Sequence, residues 1–195
     1  NAKQLNVAKL IALKDNQASM NRAGLGTQGI VGSQVNAINN DYGTSVTLPT
    51  PVKAGYTFKG WYEGETLYTT TSIPSRDVAL KAKWEANTYR LTFNANGASG
   101  SSYQDFVYGT PSKLNALSFT REGYTFKGWA TSSNGEVVYA DQQEYSIPAE
   151  ATTLYAIWEI NSYSITFDED GGEQVSDINN DYGTSVTLPT PVKAG

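Results

Sequence analysis

Apolar residues alternate with polar ones in several short runs along this chain. Tyr56 and Phe58, then Leu80, Ala82 and Trp84, then Tyr89, Leu91 and Phe93, then Leu154, Ala156 and Trp158 each stand at every second position, as do Tyr163, Ile165 and Phe167. Successive residues of a strand face opposite sides of a sheet, so this period predicts half-buried β-strands. Val46 and Leu48 predict a shorter strand, ended by Pro49 and Pro51 because proline has no N–H to give to a ladder. Leu67 and Tyr68 start another. Between the runs lie turn-forming clusters: Asn39-Asn40-Asp41-Tyr42-Gly43, Glu63-Gly64-Glu65, Asn94-Ala95-Asn96-Gly97 and Asn134-Gly135. Gly60 immediately before Trp61 predicts a bulge or a close packing approach to the ring.

The first residues follow a different pattern. Leu5, Val7, Leu10, Ile11 and Leu13 fit a period of two about as well as a helical one, which leaves the element open. The Ala-rich, Lys-containing composition tilts residues 2–15 toward helix. From Ala18 to Gly32 the residues are small, polar and Gly-rich, the mark of a loop or linker.

The remainder is repetitive. Gly55-Tyr56-Thr57-Phe58-Lys59-Gly60-Trp61 returns as Gly123-Tyr124-Thr125-Phe126-Lys127-Gly128-Trp129, and the segment Ile38 to Gly55 is repeated letter for letter from Ile178 to Gly195. Spacings between landmarks drift from copy to copy while the strand patterns survive, so insertions sit in loops. The divisions that follow are a divergent segment over residues 1–37, a first unit over 38–87, a second and complete unit over 88–160, and the first half of a third over 161–195. Carried back by the spacing of the identical segments, Tyr163 to Phe167 falls on Ala23 to Thr27, which keeps one large apolar residue. The expectation is therefore that the first unit lacks its opening strand and the third its closing half.

Composition removes whole classes of chemistry. The 195 residues contain no Cys and no His, which excludes disulfides, thiolate sites, cysteine nucleophiles and the side chain most used as a general base and metal ligand near neutral pH. Formal net charge is −5 and the cations are scattered, so nucleic acid is not an expected partner. No apolar run approaches the roughly 20 residues of a membrane-crossing helix, and no signal region opens the sequence. Any export signal or anchor is expected outside this piece. Eighteen Gly, thirteen Tyr and a 12% aromatic fraction describe a mainly β (α+β) protein rich in turns.

The order Y-x-(I/L)-T-F, a Gly turn, Y-G-T, a short strand, G-Y-T-F-K-G-W and a last strand ending in Trp resembles the internalin B-repeat, also called the Listeria/Bacteroides repeat, over about residues 38–195. The resemblance implies small β-grasp-like units strung in tandem in secreted or wall-attached bacterial surface proteins. It also implies that they serve as spacers and as modules contacting protein or glycan, without catalysis.

Candidate sites are few. The acidic run Asp168, Glu169, Asp170 and Glu173 offers oxygens of the kind calcium takes, with Asp168, Asp170 and Glu173 as weak metal candidates. Its spacing is not that of an EF-hand, and it aligns with the asparagine turn after Phe93, which favours a turn. Tyr56, Phe58, Trp61, Trp84, Phe93, Tyr124, Phe126, Trp129 and Trp158 hold fixed repeat positions and read as structural core. Tyr62, Tyr68, Tyr103 and Tyr139 are the better candidates for surface contacts such as sugar stacking. No catalytic residue and no cofactor site is expected: the carboxylates form no motif, and Gly24, Gly26 and Gly29 follow no strand and open no helix. Three readings remain open: a stalk and adhesive module, a fibre subunit joined head to tail by strand exchange between incomplete units, and an accessory carbohydrate-binding module.

Overall fold

The structure is a computed structural model and describes residues 8–12 and 35–193. Among the described residues every regular element is a strand, so the protein is mainly β. The chain divides into two compact units, residues 1–89 with 107–110 and 147–150, and residues 90–106 with 111–146 and 151–195.

The first unit holds a sheet of β1 (Ala8–Ala12), β2 (Ile38–Asn40), β3 (Tyr56–Glu63), β4 (Thr66–Leu67) and β5 (Val78–Ala86), in the order β2-β1-β5-β3-β4. β5 is antiparallel to β3 and parallel to β1. The register of β3 against β5 shifts between Phe58 and Gly60, so Gly60 marks a bulge that turns Trp61 inward. Trp61, Val78 and Leu80 form a buried cluster, with Leu48, Phe58, Tyr68 and Ala82 packed against it. The Trp61 indole N–H donates to the Pro49 carbonyl at 2.8 Å, satisfying the one polar atom of that ring.

The N-terminal strand corrects two expectations. Residues 8–12 are not helical: Leu10, Ile11 and Ala12 stand opposite Val78, Ala79 and Leu80. The outer edge of β5 carries backbone groups that need partners, and meeting that need outweighs the weak helical preference of an Ala- and Lys-containing stretch. The same pairing shows that the first unit does not lack its opening strand. In the second unit Leu91 stands opposite Thr152, the counterpart of Val78, so Leu10 holds the place of Leu91. A longer connection between this strand and Tyr42 hid the correspondence. The Gly-rich stretch from Ala18 to Gly32 lies outside the described residues.

The second unit repeats the plan with β6 (Thr88–Asn94), β7 (Ser101–Val107), β9 (Tyr124–Ala130) and β11 (Thr152–Ile160), in the order β7-β6-β11-β9. β8 (Ser112–Lys113) and β10 (Glu144–Tyr145) pair separately, as do β12 (Ser162–Ile165) and β13 (Ile178–Asp181), the start of the third repeat. Leu91, Phe93, Phe106, Leu114, Phe119, Trp129, Leu154 and Ala156 are buried here. Trp129 meets Phe93 at 4.8 Å and Phe126 at 5.1 Å between ring centroids.

Exposed ion pairs decorate the sheets: Lys59 with Glu85 at 2.7 Å recurs one repeat later as Lys127 with Glu159 at 2.8 Å, and Lys83 pairs with Glu65 at 2.7 Å in the first unit. Hydrogen bonds from Arg76, Lys83, Lys59 and Arg90 hold the carboxyls of Glu63, Glu65, Glu85 and Asp105 below their ordinary range. A carboxylate with a depressed folded pKa adds stability above its unfolded pKa and loses it as pH falls through the folded value. The urea midpoint should therefore fall gently between about pH 5 and pH 2, less steeply at high salt because these pairs face solvent. A midpoint flat across that range would show that the pairs do not form in solution.

Candidate functional site

The aromatic and polar residues at the sequence junctions form one arrangement, built twice. In the first unit Asn87 follows β5. Its N–H donates to the Gly55 carbonyl at 2.9 Å, and its own carbonyl accepts the Tyr108 N–H at 2.8 Å. The Asn87 side chain accepts from the Thr57 hydroxyl at 2.5 Å and faces the Tyr89 hydroxyl at 3.3 Å. The Tyr108 ring lies edge-on to Tyr56 at 5.4 Å and to Tyr89 at 6.2 Å, directly over Gly55. In the second unit Asn161 follows β11 and makes the same set. Its N–H donates to the Gly123 carbonyl at 2.8 Å, its carbonyl accepts the Tyr182 N–H at 2.8 Å, and its side chain accepts from the Thr125 hydroxyl at 2.6 Å. The Tyr182 ring covers Gly123 and meets Tyr163 at 6.4 Å.

The glycine is required by space as well as by backbone angle. Gly55 has φ +79°, and a Cβ placed there would stand 2.2 Å from the Tyr108 ring. At Gly123, φ +73°, it would stand 2.1 Å from the Tyr182 ring. The tyrosine turn is also uniform, with the Thr110 N–H donating to the Val107 carbonyl and the Thr184 N–H to the Asp181 carbonyl, both at 3.1 Å. Burial pushes the Tyr108 hydroxyl up from its ordinary pKa, with Tyr56 and Tyr89 adding to the shift. Tyr182 is raised chiefly by its hydrogen bond to Glu122. Both rings thus stay neutral across the physiological range, suited to packing.

The residues singled out from the sequence are placed as follows. Trp61, Phe93 and Trp129 are buried, while Tyr56, Phe58, Trp84, Tyr124, Phe126 and Trp158 are half-buried. The Trp158 indole N–H donates to the Ala95 carbonyl at 2.8 Å. Tyr103 is exposed beneath the Arg90 guanidinium, 3.8 Å from its centroid. Tyr62 is half-buried under Lys83, Tyr68 packs on the first core, and Tyr139 meets Tyr145 at 5.1 Å. The acidic run forms a turn: the Asp168 carboxylate accepts the Asp170 N–H at 3.1 Å, as Asn94 accepts the Asn96 N–H at 2.9 Å one repeat earlier. The Glu169 carboxylate accepts the Val175 N–H, and Lys193 donates to the Asp170 carbonyl. Among the described residues no three acidic side chains gather as a metal cage. A shallow depression in the first unit, lined by Val35, Asn36, Ile38, Leu48, Pro49, Trp61 and Leu80, carries no titratable group. Among the described residues no helix is long and apolar enough to cross a membrane.

The sequence reading did not single out Asn87, Asn161, Tyr108, Tyr182, Gly55 or Gly123 as one group. The signal was present, since W-E-A-N-T-Y and W-E-I-N-S-Y close the two repeats in the same way.

A mainly β chain whose strand plan and junction recur along the sequence is a tandem-repeat protein. The sequence profile of the Listeria-Bacteroides repeat domain matches residues 26–83, 89–157 and 163–195, and the chain belongs to that family. Asn87 and Asn161 fall in the short gaps between the matched stretches. A protein of Evansella cellulosilytica provisionally named a Gly-rich membrane protein is 38% identical over 82% of this chain and 19% of its own length. A second from that organism, provisionally named a membrane protein, is 34% identical over 82% of the chain and 24% of its length. Internalin H of Listeria monocytogenes is 32% identical over 54% of the chain and 20% of its length. The chain thus spans about a fifth to a quarter of the curated relatives it matches.

Proposed function

We propose that this chain is a non-catalytic tandem-repeat segment of a secreted or cell-wall-attached bacterial surface protein, acting as a stalk or spacer and offering its sheet faces to protein or glycan partners. The observation that carries this reading is the duplicated asparagine–tyrosine–glycine joint. The investment of specific contacts lies where one repeat of the sequence passes into the next, not in a cleft. The family and the two relatives named as membrane proteins support a place at the cell envelope. The joint is the element that couples consecutive repeats, and its chemistry is packing and hydrogen bonding alone.

Surface display tests the reading. One, two and three tandem copies of the chain are placed between a membrane anchor and an epitope tag on bacteria bearing a thick glycan layer. A spacer makes antibody binding to the tag rise with each copy. Binding that stays level from one copy to three would overturn the stalk.

A further inference from the structure

The tyrosine of the joint occurs three times, and among the described residues a Gly-Tyr-Thr corner lies against two of the three. Tyr42 opens the Y-G-T turn of the first repeat, and its surroundings from Ile38 to Gly55 are identical in sequence to those of Tyr182. The turn is also built in the same way. The Thr44 N–H donates to the Asp41 carbonyl at 3.1 Å, the distance found in the other two copies, and Gly43, Gly109 and Gly183 have φ of +78°, +76° and +77°. The residue, however, is 62% exposed, against 40% for Tyr182 and half-burial for Tyr108. Tyr42 is thus held on the turn that docks its counterparts, with no Gly-Tyr-Thr corner beneath it among the described residues.

We infer that Tyr42 is a preformed docking site for the Gly-Tyr-Thr corner of a further repeat joined in front of this one in the same polypeptide. Both covered tyrosines define the occupant: a glycine with nothing but hydrogen on its Cα, a tyrosine edge beside it, and a threonine hydroxyl bound to the junction asparagine. In the sequence an asparagine stands four residues before Leu10, as Asn87 stands four before Leu91, although residues 1–7 lie outside the described ones. A corner joined in cis is presented at high effective concentration, which suits a contact this small. The inference rests on the reading of the joint as the coupling element between repeats.

Tyrosine nitration followed by peptide mapping tests it. Two proteins are compared: the 195-residue chain, and a lengthened chain in which a copy of residues 88–160 runs directly into Asn6. Tyr42 should nitrate readily in the first and several-fold more slowly in the second. Changing the glycine of the added corner, the copy of Gly123, to alanine should restore the fast rate. In the same digests Tyr108 is the internal reference, slow in both proteins and released by Gly55→Ala. If Tyr42 stays fast in the lengthened chain while Tyr108 behaves as stated, the docking site is refuted and the joint stands. If Gly55→Ala leaves Tyr108 slow, the joint itself fails, and the inference with it.

Discussion

Gly55→Ala should destabilise the first unit by about 3 kcal/mol, a large fraction of the stability of a small repeat. Two costs combine. An L-residue at φ +79° loses roughly 1–2 kcal/mol to its own backbone, and a methyl 2.2 Å from the Tyr108 ring forces the ring aside, an overpacking cost of about 1–3 kcal/mol. The protein contains its own control. Gly43 has nearly the same angle, φ +78°, but open space where its Cβ would go, so Gly43→Ala should show only the backbone share. Placing Gly55→Ala in a Tyr108→Ala background should recover most of the difference, because the two residues are in contact and their effects are not additive. Urea unfolding followed by circular dichroism measures all four proteins. Equal losses at Gly43 and Gly55 would mean that the ring does not sit on the glycine in solution.

Trp129→Ala should cost about 4 kcal/mol and be the most damaging single change in the second unit. The ring is 1% exposed and is enclosed by Phe93, Phe119 and Phe126, so truncation leaves a cavity that three aromatic rings on separate segments cannot collapse to fill. Trp158→Ala should cost less, since that ring is half-buried, although it gives up the bond to the Ala95 carbonyl. Chemical unfolding read by far-ultraviolet circular dichroism, which does not depend on the lost fluorophore, decides the order. A Trp129→Ala loss under about 1.5 kcal/mol would place the centre of that core elsewhere.

Much of the architecture was legible because it is periodic. β3, β5, β6, β9 and β11 each show alternation over enough residues to fix which side faces inward, and Gly60 announced its bulge by standing before a tryptophan. β1 was not legible. Its residues satisfy two periods at once, and what decides between them is β5, whose sequence lies some seventy positions away. The candidate tyrosines show the same division. Repeat position separated core-type rings from others, but it could not tell that Tyr68 lies on the first core while Tyr103 stands out under Arg90.

The sequence by itself determined that this is a repeated, mainly β chain, because strand periods, turn residues and identical heptapeptides are local properties written in consecutive letters, and the order of those motifs carries the resemblance to the Listeria-Bacteroides repeat. The missing histidine and cysteine likewise removed their chemistry without any need of coordinates. Only the tertiary structure decided that residues 8–12 open the first sheet, that Gly55 and Gly123 lie flush under tyrosines distant in sequence, and that Tyr42 is the uncovered member of the set. Each of these depends on which residues meet through space, and a pairing between separated segments is fixed by backbone groups needing partners and rings needing cover, not by the letters of either segment alone.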